Sequence, residues 1–100
     1  MEPATVVEII TLRLRDGVND TQFLAANQRV ESEHVVRQPG FISRQTARGD
    51  SGEWLVIVHW ASLSAADASM ASFTSAPATQ GFMAVIDGSS MTMKRYTLQK

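Results

Sequence analysis

The chain has 100 residues, 44% of them hydrophobic and 19% charged, with a formal net charge of -1. That length suits one domain, and a near-neutral balance with scattered basic residues excludes the electrostatic footprint of a nucleic-acid or anionic-membrane binder. The absence of cysteine excludes disulfides, thiolate zinc sites, iron–sulfur clusters and a cysteine nucleophile.

Residues 1–100 are therefore expected to form a single domain. The longest apolar run, Trp54-Leu55-Val56-Ile57-Val58, is too short to span a bilayer. The start Met1-Glu2-Pro3-Ala4 lacks the basic and apolar regions of a secretory signal, so a cytoplasmic protein is expected. Asn19-Asp20-Thr21 matches a glycosylation sequon but is better read as a helix start.

From Ala4 to Arg15 the chain is rich in β-branched residues, with apolar types on both parities, which predicts a strand with two apolar faces. Asp16-Gly17 is a turn signal. Asn19 or Asp20 then caps a helix carrying Phe23, Leu24, Ala26, Asn27, Val30, His34 and Val35 at helical spacing, stopping before Pro39-Gly40. Phe41 to Arg48 reads as a second strand, Gly49-Asp50-Ser51-Gly52 as a hairpin loop, and Glu53 to Ala61 as the strongest strand in the chain. Ser62-Leu63-Ser64 introduces an Ala-rich helix through about Phe73, and Pro77 begins a further helical segment through Ile86, ended by Asp87-Gly88. Met91 to Leu98 alternates as the last strand. The order predicts an α+β ferredoxin-like βαββαβ fold with a four-stranded antiparallel sheet.

In the third strand one parity holds Trp54, Val56, Val58 and Trp60, and the other holds Leu55, Ile57 and His59. Right-handed crossovers put the helices on one face of such a sheet, leaving Val7, Ile9, Leu55 and Ile57 bare on the other. A domain of this size buries only about 60 to 65% of its unfolded surface, so the bare face predicts a second copy packed across a two-fold axis, a homodimer.

The stretch Val7 to Gly17, Phe23 in a helix leading to Gln38-Pro39-Gly40-Phe41, and Glu53-Trp54-Leu55-Val56-Ile57-Val58-His59-Trp60-Ala61-Ser62 followed by Ala65-Ala66-Asp67-Ala68 resemble the antibiotic biosynthesis monooxygenase family of the dimeric α/β barrel superfamily. The resemblance implies a homodimer with a helix–sheet cavity in each subunit. For quinone-forming members it further implies oxygenation of a small phenolic or anthrone-like aromatic with no cofactor, neither metal nor flavin. Haem-degrading members use a strand-one asparagine, a helical histidine and a tryptophan. Trp60 matches the last, but Ile10 stands about where the asparagine belongs and Thr79-Gln80-Gly81-Phe82-Met83 has no histidine, so haem ligation is not expected.

Several residues then compete between chemistry and packing. Trp60 either walls a pocket and stacks on a flat substrate or closes the strand–helix corner as core. Glu8 points toward the helices near the beginning of its strand, where it serves as a general base or is solvated or paired with an arginine such as Arg44. Asn27, Val30 and His34 share a stripe with Phe23 a turn earlier, so His34 takes a proton and Asn27 binds an oxyanion, or His34 merely caps the helix. Phe23, Phe73 and Phe82, with Met70, Met83, Met91 and Met93, either line a substrate-binding cavity or fill the core. His59 has the opposite parity, facing the dimer interface and away from His34, so no metal site is expected. The glycines at 49 and 52 belong to a hairpin, not a phosphate loop. The leading expectation is a cofactor-independent monooxygenase. The alternative is a non-catalytic, small-molecule-binding or stress-responsive barrel in which His34 and Glu8 are structural.

Overall fold

The computed structural model describes residues 5–99; Met1 to Ala4, which include the expected first residue of the opening strand, lie outside the described residues. In chain order the elements are β1 (Val6–Leu14), α1 (Asp20–Glu33), a 3-10 turn (Val35–Arg37), β2 (Phe41–Arg48), β3 (Glu53–Trp60), α2 (Leu63–Phe73), α3 (Pro77–Ala84) and β4 (Ile86–Thr97). The strands form one sheet in the order β2-β3-β1-β4 with every neighbouring pair antiparallel. Each crossover skips a strand: α1 carries the chain from β1 past β3 to β2, and α2 with α3 carries it from β3 past β1 to β4. This is the expected ferredoxin-like α+β arrangement.

Local chemistry sets the boundaries. The Asn19 side chain accepts from Gln22 N at 2.8 Å while the Gln22 side chain accepts from Asn19 N at 2.9 Å, a reciprocal cap that starts α1. Ser62 accepts from Ala65 N at 3.1 Å and starts α2, and Pro77 opens α3. The helix predicted to carry His34 ends one residue earlier, at Glu33. His34 leaves helical geometry (φ -129°, ψ -61°), its N–H closes the last turn on Val30, and the tighter turn over 35–37 brings the chain to Pro39.

The other difference lies at the last strand. The helical segment predicted to run through Ile86 stops at Ala84, and Asp87-Gly88 falls inside β4 instead of ending a helix. Thr11 pairs with Thr92 but Arg13 pairs with Asp87, so β4 bulges between those contacts. Asp87 Oδ1 accepts from Ser89 N and Oγ, and Ser90 Oγ accepts from Arg13 N at 2.8 Å, replacing the lost ladder bonds. Ile86 is fully buried against Leu12, Phe23, Val30, Trp54, Ala78 and Phe82.

Burial alternates along β3: Trp54, Val56, Val58 and Trp60 are buried under the helices, while Leu55, Ile57 and His59 are half-buried on the opposite face with Val7 and Ile9. A second apolar cluster of Val6, Val35, Val56, Val58, Trp60 and Ala66 completes the core. Among the described residues no helix is long and apolar enough to cross a membrane.

Gly40, at the step into β2, has φ +84°, and a Cβ there would stand 2.5 Å from the Ala65 Cβ of α2. Gly17 has φ +85° but nothing within 4 Å of such a Cβ. Gly40→Ala should therefore cost about 2 to 5 kcal/mol, combining left-handed strain with overpacking, whereas Gly17→Ala should cost only the conformational part, about 1 to 2 kcal/mol. Urea denaturation of the two variants measures the difference.

Candidate functional site

Register brings three charged side chains into one row beneath the helices. Arg44 of β2 lies opposite Val58 of β3, Val58 opposite Glu8 of β1, and Glu8 opposite Arg95 of β4. Neighbouring strands are about 4.8 Å apart, so Glu8 and Arg44 sit about 10 Å from each other across Val58.

Each buried charge has a partner. Glu8 is 5% exposed, and its Oε2 accepts from Arg95 Nε at 3.0 Å. Arg95 also donates to Asp67 Oδ1 of α2 at 2.5 Å, which ties the edge strand to that helix. The Arg44 side chain is 4% exposed; its Nη1 donates to Glu31 Oε1 of α1 at 3.2 Å, and its Cζ lies 5.9 Å from the centre of the Phe82 ring. Burial pushes the Arg44 guanidinium below its ordinary pKa, an effect that the hydrogen bond and charge of Glu31 oppose.

Between this row and the α2–α3 pair lies a cavity of about 580 Å³. Its floor is Glu8, Ile10 and Arg44; Ser69, Met70, Phe73, Thr79, Phe82 and Met83 form the helix side, and Met91 and Met93 of β4 line it as well. The volume falls within the range of about 300 to 1,000 Å³ usual for small-molecule sites, and the wall is apolar apart from a few polar groups. Of the seven methionines and phenylalanines for which core packing competed with a lining role, Met70, Phe73, Phe82, Met83, Met91 and Met93 border this space and Phe23 does not.

The sequence-predicted site residues divide into two groups. Glu8, Phe73 and Phe82 line the cavity, and Glu8 pairs with Arg95 where the sequence suggested Arg44. His34, Asn27, Phe23 and Trp60 do not line it. His34 is buried behind Phe73, ring centres 5.9 Å apart, with Nε2 3.4 Å from Ser72 Oγ and Nδ1 3.5 Å from Gln38 Nε2. Asn27 Nδ2 donates to Thr46 Oγ1 at 3.0 Å, and its Oδ1 is buried without a partner. Phe23 packs behind Phe82 and on Trp54, with ring centres 5.9 and 4.7 Å away. Trp60 lies in the second core cluster, edge-on to Phe41, with its Nε1 buried and unpartnered.

Arg44 and Arg95 are the residues that sequence reasoning left without a site role. The signal for Arg44 lies in the hairpin: a loop at 49–52 sets Arg48 against Trp54, Thr46 against Val56, and so Arg44 against the buried Val58. Arg95 has no comparable local signal, since its pairing with Glu8 spans nearly the whole chain and depends on the β4 bulge.

Removing Arg95 should expose the cost of the buried carboxylate. Arg95→Met is expected to destabilise the fold by about 3 to 5 kcal/mol, because Glu8 is left charged and unpaired. Adding Glu8→Gln to that variant should restore most of the loss, as read from urea midpoints.

Comparison with solved structures places this arrangement among known ones. SnoaB, a cofactor-independent oxygenase from Streptomyces nogalater, superposes with a TM-score of 0.79 at 16% identity, covering 97% of this chain and 95% of that one. A protein from Caulobacter crescentus CB15 described as a candidate antibiotic biosynthesis monooxygenase gives 0.78 at 15% identity, covering 98% and 92%. A similarly described protein from Bordetella bronchiseptica gives 0.78 at 12%, covering 97% and 99%. At such identities the likeness carries the fold. No protein of curated function matches the sequence. The model of the antibiotic biosynthesis monooxygenase family, however, matches residues 5–84, from β1 to the end of α3, and the chain belongs to that family.

Proposed function

We propose that the protein is a cofactor-independent monooxygenase acting on a small electron-rich aromatic, phenolic or anthrone-like, held in the cavity between the sheet and the α2–α3 pair. The observation that carries the reading is a buried carboxylate, Glu8, in the floor of a mostly apolar space of about 580 Å³. Family membership and the fold shared with an oxygenase support it.

In this reading Phe73 and Phe82 hold the flat substrate, and the apolar wall excludes water from the reacting carbon. Glu8 accepts a proton from the activated methylene, and the carbanion left behind reacts with dioxygen. The balance is one methylene and one dioxygen giving one carbonyl and one water, so the four-electron oxidation of carbon is matched by the four-electron reduction of dioxygen with no further reductant. His34, hydrogen-bonded to α2 through Ser72 and packed on Phe73, positions the aromatic wall. Asn27, Phe23 and Trp60 support the site through packing.

The working unit in this proposal is a homodimer of single-domain subunits. Val7, Ile9, Leu55 and Ile57 form a half-buried apolar sheet face that no element of the same chain covers among the described residues. A second copy meeting that face through a two-fold axis buries both patches together. Sedimentation should give a dimer at micromolar concentration, and Ile57→Asp should convert it to monomer. A wild-type monomer would remove the proposed assembly.

The catalytic reading is tested by mixing the protein anaerobically with a panel of anthrones and hydroquinones and then admitting oxygen. Quinone should form above the uncatalysed rate, and Glu8→Gln should lower kcat by about 10² to 10⁴-fold, the range for loss of a general base, with folding intact. The engagement of Glu8 by Arg95 favours a second reading, a ligand-binding barrel without turnover. That reading prevails if aromatics bind but no panel member is oxidised.

A further inference from the structure

The row holds two guanidinium groups and one carboxylate; Arg95, with a side chain 22% exposed, is matched by Glu8, which leaves the buried Arg44 as the group that points to the chemistry of the ligand. Glu31 and Asp67, which complete the charge count, have side chains 38% and 61% exposed, where water screens them; Arg44 is only 4% exposed. Among the described residues the only hydrogen bond of the Arg44 side chain is the one from Nη1 to Glu31, although a guanidinium has five N–H donors, and the residue lines the cavity. A buried cation with donors to spare at one end of an apolar space favours an anion there. The planar fork fits a carboxylate, which it binds through two parallel hydrogen bonds.

We propose that the ligand of this cavity is an aromatic carboxylate whose acid group is bound by Arg44, with the flat ring system extending along the cavity toward Ile10 and Glu8. The proposal rests on the cavity reading of the preceding section and specifies its substrate class. The orientation follows from charge: Glu8 repels the acid group and Arg44 attracts it, at opposite ends of a floor about 10 Å across. The cavity of about 580 Å³ has room for a ring system of that kind, and Ile10, Phe73, Phe82 and Met93 give it apolar contacts. The same arrangement sets the carbon that loses its proton at the Glu8 end, remote from the acid group.

Fluorescence titration at neutral pH with anthracene-2-carboxylate and its neutral carboxamide tests the proposal. The wild-type protein should bind the carboxylate at least about tenfold more tightly, the preference expected of charge-assisted hydrogen bonds. Arg44→Met should abolish that preference while leaving the carboxamide affinity within about twofold. Glu31→Gln, which frees the guanidinium from its competing partner without touching the cavity wall, should tighten carboxylate binding severalfold; this arm stands even if Arg44→Met fails to fold. Equal binding of the two probes by wild type, or a preference that survives Arg44→Met, overturns the assignment. Failure of both probes to bind overturns it together with the cavity reading. Loss of oxygenation with the carboxylate preference intact removes only the oxygenase.

Discussion

The antiparallel pairing of β1 with β3 at the centre of the sheet is the constraint on which the other features rest. It sets Glu8 against Val58 and Ile10 against Val56, and it gives both strands the same buried face. Because side chains alternate with a period of two, a one-residue slip would turn Trp54, Val56, Val58 and Trp60 toward water and lift Glu8 out of the cavity floor. The helices then have only one face to cover, and what they fail to fill becomes the cavity. The opposite face keeps its apolar side chains at the surface for the same geometric reason.

The carboxylate in the floor shows how the sheet accommodates a buried charge. A lone buried charge would be expensive, so Glu8 is held by an arginine from the neighbouring edge strand, which is in turn anchored to α2 by Asp67. The pairing makes the charge tolerable and limits where the carboxylate can point. Arg44 solves the same problem differently, with a partner at the rim and an aromatic ring beside it.

Much of the architecture was legible in the residues alone. Alternation in Glu53 to Ala61, the capping residues Asn19 or Asp20, and the hairpin at 49–52 are local signals, and each element they mark is present. Trp60 and His34 show where local signals stop. Their parity and stripe predict that they face the helix–sheet space, and both do, but whether they border a cavity depends on how α2 and α3 sit over the sheet, which no short segment encodes. The β4 start was misplaced because Asp87-Gly88 carries turn chemistry that here serves a bulge within a strand. Arg44 became visible as a site residue only after the hairpin register was followed to its far end.

That bulge has a consequence for how the open edge of the sheet meets another chain. β4 is an edge strand, and a straight, fully extended edge is a template on which another chain can add strand after strand. The interruption at 87–90, where side chains of Asp87 and Ser90 occupy backbone groups, twists the edge out of line, and the exposed Lys94 adds a charge farther along. Strand addition along this edge is thereby discouraged.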